Sequence, residues 1–171
     1  MAIYVTSNMQ LGRPNAMKTY NRDFESVDKM NDHLILEWNK IVKTGDTVYH
    51  LGNFAWDPKT AQDSILRLNG TIKFIVAEHD EALKTLETKN MLRDGVSIIN
   101  QINTLDNLKA TISYWPLLNW PNKSKGYWSI IGYPNKKYKS DPKTKTINVS
   151  TDLWGNKPQE LERILEIFKD I

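Results

Sequence analysis

Thr47-Val48-Tyr49-His50-Leu51 runs through Gly52-Asn53-Phe54-Ala55-Trp56 into Asp57-Pro58. The first five residues are rich in β-branched, aromatic and apolar side chains and predict a strand. The last two predict a helix start, with aspartate as N-cap and proline at the first helical position, where its missing N–H costs nothing. Strand, short loop and helix in that order make one unit of a layered α/β fold.

The same unit recurs on either side. Ala2 to Ser7 predicts a first strand, followed by a polar loop over Asn8 to Asn15. Ser26 is placed to cap a helix whose face carries Val27, Met30, Leu34, Trp38 and Ile41 at steps of three and four. Downstream, Ile65, Leu66 and Leu68 precede Asn69-Gly70, and Thr71 to Val76 predicts a third strand. Glu81 to Lys89 predicts a helix. The pattern then becomes β-prone, with Val96–Ile99, Ile102–Leu105 and Leu108–Ser113, and Asp106-Asn107 as a hairpin turn. Trp128 to Ile131 and Thr146 to Val149 predict two more strands. Lys157-Pro158 predicts the opening of a last helix carrying Leu161, Ile164, Leu165 and Phe168. An alternating first half and a β-rich second half, with no linker between them, predict one α/β domain over residues 1–171 whose later strands can form a second sheet.

Composition excludes several classes. With 171 residues and 40% hydrophobic residues the chain can build one full core, and 23 basic against 20 acidic residues leave a charge of +3. That balance is far from a nucleic-acid-binding tail. No cysteine means no disulfide, no thiolate metal site and no thiol nucleophile. No apolar run reaches the ~18 residues of a membrane helix, and the start lacks the pattern of a signal peptide. A cytoplasmic protein is expected.

Ligand sites of such folds lie beyond the C-terminal ends of the strands. The loops there read Ser7-Asn8-Met9-Gln10-Leu11-Gly12-Arg13, Leu51-Gly52-Asn53-Phe54, Ala77-Glu78-His79-Asp80, Ser113-Tyr114-Trp115-Pro116 and Gly132-Tyr133-Pro134-Asn135. In order and framing this series resembles the calcineurin-like metallophosphoesterases, especially their small bacterial and phage members. That family carries Asp-x-His, Gly-Asp, Gly-Asn-His-Asp/Glu, a lone His before x-Pro, and Gly-His-x-His in turn. The stretch Asn148 to Trp154 with Lys157-Pro158 also looks like the family's C-terminal end. The resemblance spans essentially the whole chain and implies a two-sheet α/β sandwich flanked by helices.

It also implies chemistry: two divalent metals such as manganese, bridged by an aspartate, would activate a water for attack on a phosphate ester. Each expected ligand position is substituted. Asn8, Gln10, Asn53, Glu78, Tyr114, Tyr133 and Asn135 stand where the family has Asp, His, Asp, Asn, His, His and His. His79 alone keeps its type, at the position of the histidine that assists the leaving group and is not a ligand. Arg13 stands where a further histidine is frequent. Neutral amides and phenols are poor ligands for two dications, so no metal cofactor is expected. Glu78, His79, Asp80 and Asp57 could hold one weak ion, or could be loop-end groups and helix caps.

The framing residues Gly12, Pro14, Gly52, Trp56, Pro116 and Gly132 are retained. The expected function is therefore that of an inactive homologue that binds or sequesters a phosphate ester or nucleotide. Asn8, Gln10, Asn53 and Asn135 would supply amides, Arg13 and His79 cations, and Tyr114, Tyr133 and Trp115 flat faces. Lys136, Lys137, Lys139, Lys143 and Lys145 could add attraction for the anion, or be a solvated loop. The alternatives are that the substitutions merely fill the vacated space, that a phosphodiesterase works with an atypical metal site, or that the old site is a docking face, self-association into a homo-oligomer included. Trp120 is the tryptophan expected to be exposed, and His50 is expected to be packed and hydrogen-bonded.

Overall fold

The computed structural model describes residues 1–134 and 138–170. The elements are β1 (Ile3–Thr6), α1 (Ala16–Tyr20), α2 (Val27–Ile41), β2 (Thr47–Leu51), α3 (Pro58–Arg67), β3 (Thr71–Ile75), α4 (Glu81–Thr88), β4 (Val96–Ile98), β5 (Ile102–Leu105), β6 (Ala110–Ser113), β7 (Trp128–Ile131), β8 (Thr146–Asn148), β9 (Gln159–Glu160) and α5 (Leu161–Lys169). One sheet has the order β4-β3-β2-β1-β9 and the other β5-β6-β7-β8. In the first, β1 to β4 are parallel and β9 is antiparallel; in the second, β6 to β8 are parallel and β5 is antiparallel. The protein is thus an α/β chain with two mixed sheets flanked by helices.

The helix signals act locally, as their residues require. Ser26 accepts from the Lys29 N–H at 3.2 Å to start α2, and Asp57 accepts from the Thr60 N–H at 2.9 Å to start α3 behind Pro58. Met30, Leu34 and Trp38 of α2, Ile65 of α3 and Leu83 of α4 bury against Val48, Ile72 and Phe74 on one face of the first sheet. The opposite face presents Val5, Tyr49, Leu51 and Ile75 to Ile112, Ile130 and Ile147 of the second sheet, and α5 adds Leu161, Ile164 and Leu165. A side-chain period of two sends alternate residues of each strand into two different cores.

Four expectations change. A short helix, α1, stands in a stretch without an amphipathic pattern long enough to reveal it. The segment Asp106–Leu108 is a 3₁₀ turn ended by Lys109 at φ 50°, so the β5–β6 connection is longer than a two-residue hairpin and β6 begins at Ala110. Pro158 does not open the last helix. Gln159 and Glu160 first pair with Val5 and Tyr4, and the helix begins at Leu161. Proline fits there because it precedes an edge strand, where no ladder hydrogen bond needs its N–H. Trp120 is buried, its indole N–H donating to the Tyr127 carbonyl at 2.9 Å.

The sheets meet tightly at the C-terminal ends of their parallel strands. A Cβ on Gly132, just after β7, would sit 1.9 Å from the Leu51 carbonyl oxygen at the end of β2. Only glycine permits that approach. The Thr151 N–H also donates to the Ser7 carbonyl at 3.0 Å, tying the loop after β8 to the loop after β1.

Candidate functional site

The loops after β1, β2, β3, β6 and β7 converge at this end and enclose a cavity of about 450 Å³. Gln10, Arg13, Asn53, Glu78, His79, Tyr114 and Tyr133 all line it. Residues distant in sequence are brought together because parallel strands all deliver their C-terminal loops to one edge. Asn8 differs from expectation: it is fully buried and does not line the cavity. Asn135, with Lys136 and Lys137, lies outside the described residues.

The floor is a closed amide network. The Asn53 side-chain amide donates to Asn8 Oδ1 at 2.9 Å and to the Tyr114 hydroxyl at 3.0 Å. The Asn8 amide donates to the Gly132 carbonyl at 2.6 Å and lies 2.9 and 3.1 Å from the Ser7 and Ser150 hydroxyls. Its polar atoms are thereby consumed inside the protein, which is why Asn8 offers nothing to a ligand. Asn8, Gln10 and Asn53 have φ of 59°, 55° and 58°. These left-handed conformations concentrate backbone strain at the ends of β1 and β2.

Two buried charged groups hold the strained loops. The Asp80 carboxylate accepts from the backbone N–H groups of Asn53 at 2.7 Å, Phe54 at 2.8 Å and Ala77 at 2.6 Å. Burial raises its pKa above the ordinary carboxylate value, against the pull of those three donors. Arg22 donates to the carbonyls of Asn8 and Met9 at 2.6 and 2.8 Å and forms a two-point pair with Asp152 at 2.7 and 3.0 Å. Nothing in the sequence pattern singles out Arg22, because its partners lie up to 130 residues away.

Above the floor the cavity has one cationic and one aromatic wall. The Arg13 guanidinium donates to Gln10 Oε1 at 3.2 Å and lies 5.4 Å from the Trp56 ring and 5.9 Å from the Tyr20 ring. His79 and Glu78 are exposed at the rim. Opposite them, Trp115 packs against Tyr114 and Tyr133 with ring centres 4.9 and 5.4 Å apart. Burial pushes the Tyr114 hydroxyl up to about 12, so it remains a neutral hydrogen-bonding group at physiological pH. Tyr20 and Trp56 were not among the expected site residues. Tyr20 lies on α1, and Trp56 stood out in sequence only as a framing residue.

The pair of divalent metals that the resemblance implies does not fit these residues. The buried positions are neutral amides and a phenol that hydrogen-bond one another. Asp80 is committed to three backbone donors, and Asp57 to the N–H and hydroxyl of Thr60. Among the described residues no group of three or more His, Asp or Glu is arranged to hold a metal ion. The site's chemistry is that of an open, partly cationic, aromatic-walled hollow over a rigid floor.

The expected contribution of the lysine-rich loop changes as well. Lys143 and Lys145 do not reach this cavity; they line a separate hollow at the other end of β7 and β8. The loop must cross to that end because β8 runs parallel to β7.

No family model matches the chain. It is 28% identical over 173 residues to an uncharacterized protein of Methanocaldococcus jannaschii, covering 98% of this chain and 91% of that protein. It also resembles the crystal structure of a protein of unknown function from Aquifex aeolicus, with a TM-score of 0.69 at 17% identity over 97% of this chain and 98% of that one. The second likeness is one of fold, and it extends over both sheets. Among the described residues no helix is long and apolar enough to cross a membrane.

Proposed function

We propose that this chain is a ligand-substituted relative of the metallophosphoesterases that binds a phosphate ester or nucleotide without hydrolysing it. The observation that carries this reading is the open cavity of about 450 Å³ above the Asn8–Asn53–Tyr114 network. If the substitutions served only to fill space, their side chains would close the hollow. Among the described residues they close the floor and leave the space above it open. Arg13 then supplies a fork for phosphate oxygens, His79 a second donor, and Trp115 and Tyr133 faces for a base. A hollow of this size is within the range of small-molecule sites.

Calorimetry with a panel of mononucleotides and cyclic nucleotides in EDTA tests the proposal. Binding of at least one member is expected, weakened about tenfold or more by Arg13→Ala, a loss of ~1.4 kcal/mol or more. Manganese-dependent cleavage of a nitrophenyl phosphodiester is expected to be absent. Absence of binding across the panel refutes the reading, and turnover lost on His79→Ala would replace it with a working hydrolase.

A second reading draws on surface apolarity. Trp56 is 56% exposed, Trp115 42% and Leu118 95%. Exposed apolar groups, Trp56 and Trp115 among them at the cavity wall, suit a docking face, and sedimentation at two concentrations tests its simplest form, self-association.

A further inference from the structure

A second hollow is larger than the one beyond the strand ends. It lies at the opposite end of the second sheet, has a volume of about 680 Å³, and is bordered by Lys109, Lys125, Lys143, Lys145 and Lys169. Lys109, Gly126 and Lys145 each lie within two residues of the start of a parallel strand, β6, β7 and β8 respectively. Lys169 ends α5. The apolar part of the wall is Trp128 and Phe168, whose rings meet edge to face at 6.1 Å.

We propose that this hollow binds a small polyphosphorylated ligand, recognised by its chain of phosphates. The argument begins with charge. Taking these five lysines from the 23 basic residues leaves 18 against 20 acidic ones. One concavity thus gathers five of the chain's 23 basic residues. Five ammonium groups around one hollow repel each other within a Debye length of ~8–10 Å, and a multiply charged anion relieves that repulsion.

The acidic groups nearby do not cancel it. Among the described residues no carboxylate borders the hollow. Asp141 is tied to the backbone N–H of Lys143 at 2.9 Å. Glu162 and Glu166 border a smaller neighbouring hollow, which they share with Lys109 and Lys169. Among the described residues none of the five lysines forms an ion pair. Lysines bind phosphates as mobile point charges, which suits a chain of several phosphates better than one planar carboxylate. The concave shape favours a small molecule over a nucleic-acid strand, which needs an open track. Two sources share this chemistry, a free polyphosphate and the phosphate chain of a nucleotide.

Calorimetry with tripolyphosphate, ATP and AMP at low salt, in the Arg13→Ala background that weakens nucleotide binding at the first cavity, tests the proposal. The variant is Lys125→Ala with Lys143→Ala; both residues are exposed, and its thermal melt is expected to match the parent. The control, Lys18→Ala with Lys29→Ala, removes the same charge from exposed sites elsewhere. Tripolyphosphate and ATP are expected to bind at least about tenfold tighter than AMP. The Lys125/Lys143 variant is expected to weaken both at least about tenfold, and the control less than about twofold. Equal affinity for tripolyphosphate and ATP assigns the site to the phosphate chain alone. Tighter ATP, reduced to the tripolyphosphate level by Phe168→Ala, assigns it to a nucleotide. No polyanion binding, AMP equal to ATP, or equal losses in variant and control overturns the proposal. Its outcome is independent of the Arg13 cavity, because Arg13→Ala is expected to leave tripolyphosphate binding unchanged.

Discussion

Burial of His50 should make the folded protein acid-labile. Its ring is fully buried between Phe54 and Phe74, with centres 5.2 and 5.6 Å away, and among the described residues neither ring nitrogen has a hydrogen-bond partner. It is packed, as its place in β2 led us to expect, but not hydrogen-bonded. Desolvation lowers its pKa from 6.5 to about 3. Between those values the unfolded chain takes up a proton that the folded chain refuses, so stability falls as pH drops through that window and is level above it. At ~1.36 kcal/mol per pH unit the full loss is about 5 kcal/mol, and about 2 kcal/mol of it falls between about pH 7.5 and pH 5. His50→Leu has nearly the same volume and removes the titrating group. Urea unfolding followed by tryptophan fluorescence at both pH values should show the parent losing about 2 kcal/mol more than the variant. The carboxylates and the other two histidines are common to both proteins and drop out of the difference. Parallel pH profiles would refute the reasoning.

Three further outcomes are expected. Arg22→Ala leaves Asp152 buried without its partner and removes the donors to the Asn8 and Met9 carbonyls; unfolding free energy should fall by about 3–5 kcal/mol, measured in urea. Gly132→Ala places a methyl group against the Leu51 carbonyl at 1.9 Å and should cost about 2 kcal/mol or more, with the thermal midpoint lowered accordingly. Restoring Asn8→Asp, Gln10→His, Asn53→Asp, Glu78→Asn, Tyr114→His, Tyr133→His and Asn135→His together should create manganese binding detectable by calorimetry, with some phosphodiester hydrolysis. A folded but metal-free product would show that these positions do not descend from a dimetal site.

Much of the first sheet and its helices was legible in sequence. Ser26, Asp57-Pro58 and the apolar periodicity of α2 act within one or two helical turns, so their signal survives without tertiary context. Gln10, Arg13, Asn53, Glu78, His79, Tyr114 and Tyr133 of the cavity lining were legible for a related reason. Each follows a recognisable strand, and parallel strands carry their following loops to a common edge.

Tertiary structure alone decided the rest. The commitment of Asn8 to the floor depends on Gly132, 124 residues away, and the Arg22–Asp152 pair spans 130. No local pattern encodes such pairings, because they arise only when two sheets close on each other. The same holds for Lys143 and Lys145. Sequence marks a basic loop, but the direction of β8 sends its end to the opposite pole of the sheet. Pro158 likewise carries an ordinary helix-start signal. The free edge of β1 overrode it, since pairing Gln159 and Glu160 there satisfies backbone groups that a longer helix would have left bare.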